Sequence, residues 1–403
     1  MKPIYVVKFG GSVFSDAEGL KRASRFVAEI AKERQVVVVV SALGGETDRL
    51  LRVLNSAGAS NDPSLRDSVL SMGERTSARL FCSSLAANGL KPELVDVDTP
   101  YWPIVTNSKH LDAEPILEET CAKVNERLKP LLDSGSVPVV CGFIGVSVDG
   151  RVTTLGRGGS DTTATLLGRC LGAKEVVLIK NVDGVLSSGS KDVQTVRKLT
   201  HLTVEELKAM TQTGAKIVAD KALKFVQGYT LRVTSISEGL NGGTTVVPSD
   251  IASSSKCTLL SEDVSLVALV APEETSVYPA LVKKVSSKGG SVLVVSMNTA
   301  SASFYVSGSV DEPSIHELVE EGLAKAVSVR TGLCCISVAG MGFSEKPGTI
   351  LAIMEPLRAE SINVYGLTTI GDSAKIFVSV EQAKKAIELI DESLSQLEAL
   401  QNG

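Results

Sequence analysis

The sequence predicts an α/β protein: a three-layer αβα sandwich over residues 1–250, then two smaller α+β units at 260–331 and 332–403. Three observations lead there. Strand-like and helix-like segments alternate through the first 250 residues, the pattern of a mostly parallel sheet covered by helices on both faces. Val36–Val40 is a continuous β-branched run, which suits a strand buried on both sides. Beyond residue 256, the order strand, helix, strand, strand, helix occurs twice.

Ile4-Tyr5-Val6-Val7 is an apolar strand that runs directly into Lys8-Phe9-Gly10-Gly11-Ser12. From Asp16 to Lys32, the residues Leu20, Ala23, Phe26, Val27, Ile30 and Ala31 recur at helical spacing. Val137–Gly142 and Glu175–Lys180 read as further strands, with helices at Ser71–Asn88, Ile116–Leu132 and Val204–Met210. Residues 248–256, PSDIASSSK, read as a linker. The first small unit comprises Leu266–Val270, Val277–Lys288, Ser291–Met297, Ser303–Val306 and Ser314–Glu321. Cys334–Val338, Gly348–Glu360, Ile362–Thr368, Lys375–Val380 and Gln382–Leu397 repeat that order.

Composition narrows the function. At 403 residues the chain can bury a large core in two or three domains. Forty-one basic and 46 acidic residues leave a net charge of −5, which gives no nucleic-acid footprint. No apolar run is long enough to span a bilayer, and MKPIYVVKFGG enters a strand without a signal-like segment, so a cytoplasmic enzyme is expected. Seven scattered cysteines without a CxxC read as reduced thiols. The three histidines (His110, His201, His316) have no metal-ligand spacing, so neither a metal centre nor a histidine general base is expected.

Two motifs carry chemistry. A strand, a glycine turn and a helix, with Lys8 beside the glycines, make an anion site from loop amides and a cation. An ordinary tight turn is the alternative reading of Gly10-Gly11 alone. Thr153-Thr154-Leu155-Gly156-Arg157-Gly158-Gly159-Ser160-Asp161 places glycines, a guanidinium, a hydroxyl and a carboxylate in a turn before an apolar helix. Ser160 or Asp161 could simply cap that helix, but capping needs neither Arg157 nor the glycine pairs. An arginine fork there suits a carboxylate ligand.

Together with Val39–Ala42, Gly73-Glu74, Gly142–Gly145 and Gly214-Ala215-Lys216, these motifs resemble those of aspartate kinases in the amino-acid kinase superfamily, in the same order. The resemblance spans nearly the whole chain and implies the amino-acid kinase fold followed by two ferredoxin-like ACT domains, in this family often interleaved. It implies ATP and Mg²⁺ as cofactors, L-aspartate as substrate and 4-phospho-L-aspartate as product, the first step toward lysine, threonine and methionine. Lys8 and Asp161 would be catalytic. Ser41, Thr47, Glu74, Arg157 and Ser160 would bind aspartate. Lys8, Gly10, Gly11, Ser12, Lys180, Asn181, Gly184, Lys191 and Lys216 would bind the nucleotide. Asn363 would face an amino-acid effector, and a homodimer or higher homo-oligomer is expected.

The nucleotide half departs from the family pattern. The usual Thr-Asp becomes Lys180-Asn181, the tyrosine becomes Leu186, Asp-Pro becomes Gly189-Ser190 and the arginine becomes Lys191. After Lys216 the chain has Ile217-Val218-Ala219-Asp220 where relatives have Val-Leu-His-Pro. In the first ACT-like unit Leu293 stands where an aspartate is common, so a structural role stands beside effector binding. Two other functions remain open: a kinase for a different small carboxylate, and a non-catalytic subunit that senses amino acids.

Overall fold

A computed structural model describes residues 2–14, 16–56, 62–188, 195–212, 217–248, 257–270, 274–298, 300–308, 310–339, 348–370 and 373–402. The chain divides into two compact units, Met1–Asp250 and Ile251–Gly403. The serine-rich segment between them falls at 249–256, outside the described residues.

In chain order the first unit contains β1 (Ile4–Phe9), α1 (Ala17–Ala31), β2 (Gln35–Val40), α2 (Glu46–Ser56), α3 (Pro63–Ala87), β3 (Pro92–Val95) and β4 (Val105–Thr106). Then come α4 (Leu117–Arg127), α5 (Lys129–Asp133), β5 (Val137–Cys141), β6 (Ile144–Ser147), β7 (Val152–Thr154), α6 (Gly159–Leu171) and β8 (Glu175–Ile179). It closes with β9 (Val185–Leu186), β10 (Lys198–Leu199), β11 (His201–Thr203), α7 (Val204–Gln212), α8 (Asp220–Leu223), β12 (Thr230–Thr234) and β13 (Thr244–Val247).

The main sheet has the order β11-β13-β12-β8-β1-β2-β5-β3. Its central pairs, β8 with β1, β1 with β2 and β2 with β5, are parallel. The chain leaves β1 toward β2 on one side and later returns to β8 on the other. That makes the carboxyl ends of β1 and β8 a topological switch point, where open α/β sheets hold their ligands. Side-chain alternation sorts the faces. Phe9 packs against Phe14, Phe26 of α1 and Phe81 of α3, so Lys8 projects to the opposite face, where α6 covers β1 and β8. Leu178 pairs with Lys8 in register, and Lys180, two residues on, shares its face.

Three expectations need correction here. The helix expected at Ser71–Asn88 begins at Pro63, with Asp62 accepting a capping bond from the Ser64 N–H. The helix expected at Ile116–Leu132 is two helices, divided at Leu128 because Pro130 opens the second. The cysteines are not all reduced: Cys121 of α4 and Cys170 of α6 form a disulfide. Those helices pack side by side and bring the two Cα atoms to 4.7 Å, which a separation of 49 residues hides. Closing a loop of that length stabilises by about 4 kcal/mol in the chain-entropy picture. Thermal unfolding with and without dithiothreitol should therefore differ by several degrees, and Cys121→Ser should remove the difference.

The second unit contains β14 (Cys257–Val270), α9 (Glu274–Ser287), β15 (Ser291–Met297), β16 (Ser301–Ser307), α10 (Glu312–Glu320), β17 (Ala326–Ala339), α11 (Thr349–Ala359), β18 (Gly366–Ile370), β19 (Ser373–Ser379) and α12 (Ala383–Asn402). Its sheet runs β15-β16-β14-β17-β19-β18. A boundary at residues 331/332 is corrected by this order, because it cuts through β17. The long strands β14 and β17 pair along their length, with register breaks between Leu259 and Leu266. One ferredoxin-like half uses Val264–Val270 of β14, then α9, β15, β16, α10 and the start of β17. The other uses the end of β17, then α11, β18, β19 and α12, and borrows Cys257–Leu259 as its fourth strand. Cys334 and Cys335 face opposite sides of β17, in separate apolar clusters.

The sheet is folded over at those breaks. Strands β16 and β19 are separated by two others, about 14 Å across a flat sheet, yet Tyr305 stacks on Phe377 at 3.8 Å. The Tyr305 hydroxyl donates to the Tyr365 carbonyl at 2.6 Å, and Lys375 Nζ donates to the Leu293 carbonyl at 3.2 Å. The helices therefore lie outside, and the helix-free faces of the two halves close on each other.

Candidate active site

Lys8 is the penultimate residue of β1, Lys180 follows β8 and Asp161 stands in the first turn of α6. Local sequence explains that turn. Gly158 is the N-cap of α6 at φ +74°, and a Cβ there would lie 2.1 Å from that of Ala219. Gly159 brings the helix start against Phe143 and Leu155. No side chain caps α6, so Ser160 and Asp161 are not capping residues.

Asp161 sits between the two lysines: Lys8 Nζ is 2.6 Å from Oδ1, and Lys180 Nζ is 2.8 Å from Oδ2. Lys180 also donates to the Ile217 carbonyl. Asp161 is 5% exposed and Lys8 7% exposed. Burial works to raise the Asp161 carboxyl, and the two ammonium groups override it, holding it down at about 2. Burial pushes Lys180 down, Asp161 pulls it back up, and the Lys8 charge opposes it. Two cations held on one carboxylate leave a net positive charge at the mouth of a cavity, which suits a polyphosphate.

The glycine turn is used differently from expectation. The Gly10 N–H donates to the Ile179 carbonyl at 3.1 Å, tying β1 to β8, so Gly10 offers no amide to a ligand. Gly11 is required by a protein contact: a Cβ would sit 2.5 Å from the Ala42 carbonyl oxygen. Ser12 lines a cavity of about 410 Å³ together with Lys180 and Asn181. Gly184 turns at φ +131° against Thr244. Lys191 and Lys216 lie outside the described residues.

On the other side of the cleft stands Glu74, 4% exposed, on α3. Gly73 lets α3 approach Ala42, whose Cβ would be 2.8 Å from a Cβ at that position. Burial raises Glu74 to about 7; hydrogen bonds from the Ala42 and Glu74 backbone N–H groups and the Lys8 charge pull the other way. Its Oε2 is buried with no hydrogen-bond partner among the described residues. An unpaired buried carboxylate oxygen suits an incoming ammonium. Ser160 is buried, and Ser41 and Thr47 are half-buried at the end of β2 and on α2. Arg157 is exposed and makes no ion pair with a described residue, while Asn363 is exposed just before β18.

The residues present fit a phosphate-borne Mg²⁺ better than a protein-caged one. Both Asp161 oxygens carry lysines, and among the described residues no three His, Cys, Asp or Glu side chains converge as ligands. Asp183 is the single carboxylate lining the cavity, and it accepts a hydrogen bond from Ser235.

Sequence reasoning missed Arg22, Asp183, Ser235 and Ser237, which line the same cavity. The available signal was the strand Thr230–Thr234. It pairs in parallel with β8, so the residues after it reach the same sheet edge as Lys180.

Among the described residues, no helix is long and apolar enough to cross a membrane. The chain is 29% identical to an aspartokinase of Geobacillus stearothermophilus over 97% of this chain and 98% of that one. It is 36% identical to a Mycobacterium tuberculosis aspartokinase over 57% of this chain and 53% of the relative. The crystal structure of aspartate kinase from Synechocystis superposes with a TM-score of 0.81 at 22% identity, covering 97% of this chain and 69% of that one. E. coli aspartokinase III in complex with aspartate and ADP gives 0.56 at 23% identity, over 97% of this chain and 99% of that one. A sequence profile of the amino acid kinase family matches residues 3–235, more than half of the chain, which therefore belongs to the amino acid kinase family.

Proposed function

We propose that this chain is an aspartate kinase, transferring the γ-phosphoryl group of ATP to the side-chain carboxylate of L-aspartate. The observation that carries the reading is the Lys8–Asp161–Lys180 cluster at the switch point, facing a buried, half-unsatisfied Glu74. Full-length similarity to aspartokinases supports it.

Phosphoryl transfer needs positioning and positive charge more than covalent help. Lys8 and Lys180 hold the γ-phosphoryl oxygens as charge spreads over them. Asp161 aligns both ammonium groups and offsets the cost of burying their charge. Ser12 and Asn181 contact the polyphosphate, Arg22 adds a third cation, and Ser235 and Ser237 offer hydroxyls. Arg157 takes the α-carboxylate of aspartate in its fork, and Glu74 the ammonium. Ser41, Thr47 and Ser160 supply neutral hydrogen bonds. The attacking carboxylate is already ionised at neutral pH, so no general base is required. Mg²⁺ carried on the phosphates supplies further charge neutralisation. We assign the two ferredoxin-like halves to amino-acid sensing, with Asn363 at the effector face, in a cytoplasmic homodimer.

The test is ATP- and Mg²⁺-dependent acyl-phosphate formation, trapped with hydroxylamine, on L-aspartate, L-glutamate, N-acetyl-L-glutamate and no acceptor. Signal with aspartate alone is expected. Signal with another carboxylate alone would overturn the substrate, and silence with all of them would favour a sensing subunit.

Glu74 makes a pH prediction. Its carboxyl is raised to about 7 in the free protein, so it is ionised above that pH and neutral below. An ammonium ligand needs it ionised, so binding below pH 7 must release a proton. KM for aspartate should therefore be flat above pH 7 and rise roughly tenfold per pH unit below it. In Glu74→Gln, KM should be high throughout and this limb of the profile lost.

A further inference from the structure

Asp67 lies seven residues before Glu74 on α3, two helical turns away and so on the same face. It is fully buried, far from the lysine cluster in sequence, and has no part in the chemistry above. Its carboxylate is nevertheless saturated with donors from elsewhere in the chain. Thr154 Oγ1 donates to Oδ1 at 2.5 Å. The Leu111 N–H lies 3.1 Å from both oxygens, and His110 Nδ1 meets Oδ2 at 2.7 Å.

Each donor leads toward the Arg157 turn. Thr154 is the last residue of β7, three before Arg157, and its carbonyl accepts from the Ala113 N–H at 2.8 Å. Leu111 holds a left-handed backbone at φ +67°, an uncommon conformation for a leucine, and its N–H is held by a side-chain partner. The Asp67 carboxylate is that partner. The loop it pins then presses Asp112 against Gly156, where a Cβ would fall 2.5 Å from Asp112 Oδ1. Lys221 of α8 closes the clamp, donating to Asp112 and to the Leu155 carbonyl.

We propose that Asp67 is a positioning residue of the amino-acid site: it fixes the Gly156-Arg157 turn relative to Glu74, so that the arginine fork and the carboxylate are spaced for the two ends of one α-amino acid. The proposal rests on the assignment of Arg157 and Glu74 to the amino-acid substrate. One buried carboxylate on the Glu74 helix links both sides of the substrate pocket, whereas the two lysines of the phosphate cluster are carried by β1 and the end of β8.

Asp67→Asn and Thr154→Val test it in the full-length chain. Asparagine keeps the shape but cannot accept from all three donors; valine removes one donor at nearly constant volume and spares Asp67 itself. Both should raise KM for aspartate, by 10- to 100-fold for Asp67→Asn and less for Thr154→Val, with KM for ATP and the affinity for ADP within twofold of wild type. Thr154→Ser, which restores the hydroxyl, should return KM toward the wild-type value. A loss of thermal stability with both KM values unchanged would overturn the proposal, as would an equal rise in both. Should Asp67→Asn fail to fold, Thr154→Val against Thr154→Ser decides alone. A wild-type chain that phosphorylates no carboxylate would sink the functional assignment instead, which separates the two failures.

Discussion

Asp161→Ala should abolish turnover, with kcat falling by roughly 10³-fold or more, and should give a protein that ATP stabilises far more than it stabilises wild type. The wild-type carboxylate offsets part of the charge of Lys8 and Lys180, which are otherwise two like charges with little access to solvent. Removing one partner of a buried ion pair costs about 3–5 kcal/mol, because the remaining charge has no compensation. Here two charges are orphaned. The apo variant should melt well below wild type, and the γ- and β-phosphates of ATP should restore much of the loss by taking the place of the carboxylate. Melting curves with and without Mg-ATP, beside the hydroxylamine assay, read both effects. Turnover within tenfold of wild type would exclude the assigned role. So would a variant whose melting temperature matches wild type without nucleotide.

Arg157→Ala should raise KM for aspartate by about 10²-fold, and Arg157→Lys by roughly tenfold, with KM for ATP nearly unchanged. Hydrogen bonds to charged groups contribute about 1.5–3 kcal/mol each, and the fork supplies two to one carboxylate. Lysine keeps the charge and loses the second bond. Because Arg157 is exposed and pairs with no described residue, its loss should leave thermal stability close to wild type. That separates it from Asp161, whose loss should affect both stability and rate. An unchanged KM in Arg157→Ala would reassign the amino-acid clamp.

What could be read from sequence was what is encoded locally. Val36–Val40 declares a buried strand through side-chain type alone, and Thr153–Asp161 declares its turn because glycines, arginine and aspartate all lie within nine residues. Lys8 and Asp161 are 153 positions apart, and their meeting was implied by the family resemblance of the two motifs rather than by the residues alone. The misses are cases where a partner is distant and chemically unremarked. Nothing beside Gly10 announces that its N–H is committed to Ile179, nor beside Cys121 that Cys170 is its neighbour. Asp67 reads as a polar residue near a helix start until residues 43, 44 and 87 positions away are folded onto it. The boundary in the second unit failed for a related reason. Periodicity reports where a strand lies and is silent about which half of a sheet it completes.

The strand lent by Cys257–Leu259 has a consequence for synthesis on the ribosome. Those residues emerge first in the second unit, but the strand they pair with, Cys334–Val338, follows more than 70 residues later. The helix α12 that packs against this half comes later still. The intervening half can close on itself as soon as β17 begins to emerge; the half built from the end of β17 must leave Cys257–Leu259 unpaired until the chain is nearly complete. Contacts of such sequence separation slow folding and lengthen exposure to aggregation. A nascent chain from which the start of β17 has emerged, but not its end, should accordingly hold one finished half tethered to an unpaired strand segment, a form suited to capture by chaperones and to exchange between neighbouring chains.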